Sequence, residues 1–213
     1  MRKIRVLLAD DHKIVLEGLK SLLEPEFDLV GIVEDGRALV KEAERLHPDV
    51  IVADISMPLL NGIDAVRQIK KTDDRIKVVF LTMHPDVAYA TMAFEAGASG
   101  YVLKRSASRE LITAINDAMK ERTYVTPMIA GELLHSYKKT QPGQNIFKKK
   151  LTHRQDEILQ LLAEGHSTKE MANILHISPR TVETHKYNMM QELKLKTTTD
   201  LVKYAIKQGI ISI

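Results

Sequence analysis

Five short runs rich in β-branched or apolar residues punctuate the first part of the chain, at positions 4–8, 29–33, 50–53, 78–81 and 101–103. Their length and composition predict five strands. Between them apolar residues return at helical spacing, as in Ile14, Val15, Leu19, Leu22 and Leu23, after which Pro25 stops the helix. A strand followed by a helix, five times over, predicts a doubly wound α/β domain. Its parallel sheet carries helices on both faces, because each crossover must return over the sheet with the same hand.

This pattern ends near Arg122, and residues 1–122 form the expected first domain. Residues 123–148 read as a linker: a short helix is possible over 127–137, and the stretch from Lys138 to Asn145 is polar and turn-rich. From 149 to 213 the periodicity is purely helical. Ile158, Leu159, Leu161 and Leu162 make one stripe, Met171, Ile174 and Leu175 a second, Val182, Met189 and Leu193 a third, and Leu201, Val202, Ala205 and Ile206 a fourth. Four helices in a small all-α bundle follow.

The helix starts are marked independently of hydrophobicity. Thr152 with Gln155 and Ser167 with Glu170 have the spacing of capping boxes, and Ser178 before Pro179 supplies an N-cap and a first-turn proline. The second and third helices of the bundle therefore meet at a tight turn near His176 and Ile177, the arrangement of a helix-turn-helix.

Charge sharpens the division. Of the 213 residues, 1–122 carry 18 Lys/Arg against 20 Asp/Glu, whereas 123–213 carry 13 against 8, so the positive charge of the whole chain belongs to its C-terminal part. A polyanion partner suits that part, because cations near phosphates release condensed counterions. The absence of cysteine excludes disulfides and thiolate metal chemistry and fits a reducing cytoplasm. Met1-Arg2-Lys3 is followed by too few apolar residues before Asp10 for a signal-peptide core or a membrane span, so neither export nor insertion is expected.

Ligands of doubly wound sheets sit beyond the carboxyl ends of the strands, where the strand order reverses. Asp10 and Asp11 follow the first predicted strand, Asp54 follows the third, Thr82 ends the fourth and Lys104 follows the fifth. Taken alone, Thr82 is an ordinary strand-end hydroxyl; what matters is that all five fall on one edge. With strand order 2-1-3-4-5, three carboxylates share a crevice, and their repulsion calls for a cation. Mg2+ prefers such hard oxygen ligands and joins carboxylates to phosphoryl groups. An ionised Asp54 can then attack phosphorus to give an acyl phosphate, with Lys104 and Thr82 meeting the phosphoryl oxygens.

The stretches LLADDH, DVIVADISMPLLNG, VVFLTMH and EAGASGYVLK resemble the receiver domains of response regulators over essentially all of residues 1–122. The resemblance implies that Asp54 is the phosphoacceptor, that Asp10 and Asp11 are the acidic pair for Mg2+, and that Ser56 lends its backbone carbonyl to the metal. It makes Tyr101 the aromatic that turns inward when Thr82 is drawn toward the phosphoryl group, and it gives Pro58 and Gly62 a structural role in the loop after Asp54.

The segment LTHRQDEILQLLAEGHSTKEMANILHISPRTVETHKYNMMQEL resembles the LuxR-type helix-turn-helix, which places the whole chain with the NarL/FixJ regulators. The third helix of that bundle is then the reader of the major groove. Helical spacing puts Val182, His185 and Met189 inward and exposes Arg180, Thr181, Glu183, Thr184, Lys186 and Tyr187 as candidate DNA contacts. Two departures stand out: Gln155 occupies a position where an acid is usual, and Glu183 and Tyr187 occupy positions where some members carry bases. His153, His166, His176 and His185 lack metal-ligand spacing. Lys148, Lys149 and Lys150 either reach a DNA backbone or are simply solvated.

The resemblance implies a histidine kinase as phosphodonor, double-stranded DNA as target, a homodimer on phosphorylation through the apolar last helix ending at Ile210 and Ile211, and RNA polymerase as a possible further partner. A haloacid-dehalogenase-type hydrolase would also use an aspartyl nucleophile, but it needs a second acid where Ser56 stands. A regulator with an unphosphorylated receiver is the other rival, and the full acidic set with Lys104 argues against it. No GK[ST] phosphate loop or GxGxxG follows a strand.

Overall fold

A computed structural model describes residues 2–139, 151–207 and 210, with side-chain surroundings described outside 134–139. The chain divides into two compact units, Met1–Gln144 and Asn145–Ile213.

The first unit runs β1 (Arg5–Ala9), α1 (Lys13–Leu23), β2 (Asp28–Val33), α2 (Gly36–Leu46), β3 (Val50–Ala53), α3 (Gly62–Thr72), β4 (Lys77–Thr82), α4 (Val87–Glu95), β5 (Gly100–Leu103), α5 (Ala107–Met119), β6 (Tyr124–Val125) and α6 (Pro127–Lys139). All pairings are parallel, in the order β2-β1-β3-β4-β5-β6. Each of the five predicted strands is present within a residue or so of its expected bounds.

Alternation along the central strands builds a core on each face of the sheet. Val6, Leu8, Val50, Val52, Val79 and Leu81 pack with Leu16, Leu19 and Leu23 of α1 and Leu111 and Ile115 of α5. Leu7, Ile51, Ala53, Val78 and Phe80 pack on the other side with α2, α3 and α4. Strands buried on both faces have no polar register to keep, which is why they read as unbroken apolar runs.

The sixth strand is an addition to the five expected. Gly100 pairs with Tyr124 and Tyr101 with Val125, and Thr126 locks the end of the ladder: its Oγ1 accepts from the Leu103 amide at 3.1 Å and donates to Glu110 Oε2 at 2.7 Å. Helix α6 follows, and its Ile129 and Leu133 are buried in the same core as Tyr101, Ala90 and Ala93. The first folded unit therefore extends beyond Arg122 into the stretch read as linker.

The second unit holds α7 (His153–Ala163), α8 (Thr168–Leu175), α9 (Pro179–Leu193) and α10 (Thr198–Lys207). Both capping boxes form, and Ser178 accepts from the Thr181 amide at 3.0 Å. Each cap satisfies amides that the first helical turn leaves without partners. His176 closes α8 in the left-handed region, φ 54°, and turns the chain toward α9. Ile158, Leu159, Leu161, Met171, Leu175, Val182, Met189, Leu201 and Ala205 form the buried interior. Gln155 is itself buried, so a neutral amide keeps the capping hydrogen bond without burying the charge that an acid would bring. Lys148, Lys149, Lys150 and Ile211 lie outside the described residues.

Candidate functional site

The carboxyl ends of β1, β3, β4 and β5 bring the sequence-selected residues together. Asp10 and Asp54 are buried at 1% and 4% exposure, Thr82 is fully buried, and Asp11 stands at the rim. Lys104 Nζ lies 2.6 Å from Asp54 Oδ2 and 2.7 Å from Asp10 Oδ2. The contact to Asp54 is a well-formed hydrogen bond, whereas Asp10 Oδ2 accepts none and meets Lys104 only as an ion pair. Asp54 Oδ1 accepts from the Ile55 amide at 2.6 Å and, at 3.4 Å, from that of Ser56.

The electrostatics follow from burial and charge together. Burial pushes Asp54 above the usual carboxylate range; Lys104 pulls it down but does not overcome burial and the neighbouring Asp10. For Lys104 burial favours loss of the proton, yet the charge of Asp54 and the close contacts with both acids outweigh it and raise its pKa. Both shifts point upward, that of Asp54 chiefly because it is buried and that of Lys104 because two acids face it. Ligand atoms of Asp10, Asp11, His12 and Asp54 all lie within 4.8 Å of one another. A buried carboxylate oxygen without a hydrogen bond, hard oxygen donors and uncompensated charge together fit a divalent cation.

The loop after β3 is shaped by close packing. A Cβ on Gly62 would lie 2.0 Å from the Asp54 carbonyl oxygen, so only glycine lets α3 start against the backbone of Asp54. Pro58 is exposed and its carbonyl accepts from the Gly36 amide at 3.3 Å, in keeping with a structural role.

Two histidines at this edge went unassigned in the sequence. His12 donates its amide to Asp10 Oδ1 at 2.9 Å, and its Nδ1 lies 2.7 Å from Asp11 Oδ1. His84 is a junction: its Nε2 lies 2.8 Å from Ser56 Oγ, its amide donates to Thr82 Oγ1 at 3.2 Å, and its carbonyl accepts from the Tyr101 hydroxyl at 2.8 Å. Its ring stacks on Tyr89 with centroids 4.3 Å apart. Tyr101 is fully buried, the inward orientation, and burial pushes its phenol well above the usual range. Both histidines end motifs picked out in the sequence, LLADDH and VVFLTMH, so position at a strand end was their one available signal.

On α9, Arg180, Glu183, Thr184 and Tyr187 are exposed, Thr181 and His185 are half-buried, and Val182 and Met189 are buried. Lys186 differs from its expected exposure: its side chain is 12% exposed and its Nζ donates to Glu183 Oε1 at 2.9 Å. Attraction to an acid one turn back folds the long side chain onto the helix. Thr181 Oγ1 is engaged with Ser178 Oγ at 2.8 Å, and the Thr184 hydroxyl donates to the Arg180 carbonyl at 2.9 Å.

Residues 6–116 match the family model for the response regulator receiver domain, and residues 149–205 match that for bacterial regulatory proteins of the luxR family. The transcriptional regulatory protein DegU of Brevibacillus brevis is 34% identical over 99% of this chain and 96% of its own length. A structure of the Salmonella typhimurium RcsB response regulator is similar with a TM-score of 0.65 at 29% identity, over 96% of this chain and 97% of that one. A structure of the RcsB–DNA complex is similar with a TM-score of 0.60 at 28% identity, over 95% and 98%. The protein belongs to the two-component response regulators that join a receiver domain to a luxR-type DNA-binding domain and regulate transcription.

Proposed function

We propose that Asp54 takes a phosphoryl group from the phosphohistidine of a partner kinase and that the resulting acyl phosphate controls DNA binding by α9. The observation that carries this reading is the placement of Lys104 Nζ within 2.7 Å of both Asp10 and Asp54 at the carboxyl edge of the sheet. An oxygen of ionised Asp54 attacks phosphorus, the phosphorus–nitrogen bond breaks, and the imidazole leaves with its electron pair and takes up a proton. Burial keeps Asp54 short of solvent partners, and Lys104 stabilises charge on the transferred oxygens. The Thr82 hydroxyl donates to a second oxygen.

Asp10, Asp11, Asp54 and the Ser56 carbonyl would hold Mg2+, which supplies charge neutralisation between the acids and the incoming phosphoryl group. Engagement of Thr82 draws on its contact with the His84 amide, and through the His84 carbonyl on the Tyr101 hydroxyl. Thr82, His84 and Tyr101 thus form the path by which occupancy of Asp54 alters the β4–α4 region. A phosphoryl group shifts this equilibrium only by its preference for one arrangement over the other.

The reader presents Arg180, Thr181, Glu183, Thr184 and Tyr187 to the duplex, with Lys186 drawn toward Glu183. Leu201 and Ala205 of α10 are buried within their own unit, leaving half-buried Val202 and Ile206 for a homodimer contact that would pair two readers on half-sites. We place its action in the cytoplasm, with RNA polymerase a further partner. No described helix is long and apolar enough to cross a membrane.

The test is intact mass after incubation with a small phosphodonor and Mg2+. Wild type gains one phosphoryl group, Asp54→Asn gains none, and Lys104→Ala gains it at least tenfold more slowly. An unchanged wild-type mass, or an equal gain in Asp54→Asn, would overturn the reading.

A further inference from the structure

Helix α9 carries an acid toward a partner that is a polyanion, and the fold holds that acid in place. The Glu183 side chain is 57% exposed in the second turn of the helix. Its Oε1 accepts from Thr168 Oγ1, on α8, at 2.6 Å and from Lys186 Nζ at 2.9 Å. An untethered surface glutamate would swing away from phosphate; this one is fastened from two helices. Both donors act on the same oxygen, so Oε2 keeps its lone pairs for another donor. The Thr168 hydroxyl and then Lys186 also hold the carboxyl below its usual pKa, so the group is an acceptor and never a donor at neutral pH.

The edges of the bases supply few partners for a fixed acceptor. In the major groove only cytosine N4 and adenine N6 donate, and adenine places its N7 acceptor beside N6, where it repels a carboxylate. Cytosine presents its amino group without that neighbour. We propose that Glu183 is a specificity-determining residue that reads the N4 amino group of a cytosine, with Thr168 and Lys186 as the positioning residues that aim it. The proposal rests on α9 being the groove-reading helix. The donation to Glu183 also accounts for Lys186, whose charge is spent on orienting an acid in place of binding phosphate. Tyr187, four residues on, exposes its ring on the same face one turn away.

The experiment is selection of bound duplexes from a random-sequence library by the full chain, treated with phosphodonor and Mg2+, for wild type, Glu183→Ala, Glu183→Gln and Thr168→Val. Wild type is expected to enrich half-sites with a fixed C·G pair at one position, preferred about tenfold or more over the alternatives. Glu183→Ala loses that preference while the other positions keep theirs. Glu183→Gln shifts it toward adenine, whose donor and acceptor pair matches an amide. Thr168→Val keeps the acid but frees it, and weakens the preference at the same position only. Identical base profiles for wild type and Glu183→Ala, with affinity raised evenly on every duplex, would show that Glu183 merely repels phosphate and would overturn the proposal. A wild-type chain that enriches no sequence overturns the assignment of α9 as reader, and this proposal with it.

Discussion

Asp54 is costly to its own fold, and the cost has a sign that can be measured. Its folded pKa is raised, first by burial, so folding takes up a proton and ionised Asp54 lowers stability at neutral pH. Asp54→Asn removes that charge while Lys104 keeps Asp10 as a partner, and the variant should melt above wild type at pH 7. Each kcal/mol gained moves the midpoint of a domain this size by about 2–4 °C. The cost is complete above the folded pKa and fades as pH falls through it, so the two melting curves should converge near pH 4, roughly the unperturbed carboxylate value. Thermal melts at the two pH values decide; a variant less stable at pH 7 would mean the Lys104 pair outweighs the surplus charge. Gly62 makes the complementary prediction. An added methyl would meet the Asp54 carbonyl at 2.0 Å, so Gly62→Ala should cost about 1–3 kcal/mol in denaturant unfolding.

At the scale of elements, the unexpected features are strand β6 and the packing of α6, a helix anticipated over 127–137, into the core. Ile129 is fully buried and shares a core with Tyr101, Ala90 and Ala93, so these elements stabilise the very face that carries the Tyr101 hydroxyl contact. Ile129→Ala should destabilise the first unit by about 2–5 kcal/mol, read as a fall in its urea midpoint, and truncation after Arg122 should cost more. A neutral outcome would show that α6 merely rests on the surface. Strands β1, β3, β4 and β5 were legible as buried apolar runs, and the half-exposed edge strand β2 as an apolar, β-branched run between polar residues. Strand β6 was not, since two residues, Tyr124 and Val125, are too few to show alternation. The five carboxyl-edge residues were legible because a parallel sheet fixes where strand ends lie. His84 was not, because its role comes from contacts with Ser56, Thr82 and Tyr101, which are distant or irregularly spaced along the chain. Helical spacing located the exposed face of α9 but could not foresee the Glu183–Lys186 pair folding Lys186 onto the helix, since periodicity carries no side-chain conformations.

For the whole molecule, the two compact units divide the work by charge and by architecture. A sheet edge crowded with acids suits a cation and a phosphoryl group; a helix bundle of net positive charge suits a polyanion. Regulation requires that the state of the first change the affinity of the second, and such coupling is a free energy that binding measurements read directly. The decisive measurement is the affinity of the full chain for a selected duplex at fixed salt, with and without phosphodonor and Mg2+, beside Asp54→Asn under the same conditions. The account predicts that wild type changes affinity by about 5-fold or more on phosphorylation while Asp54→Asn does not move. A wild-type affinity that stays constant while the protein carries a full complement of phosphoryl group on Asp54 would contradict it.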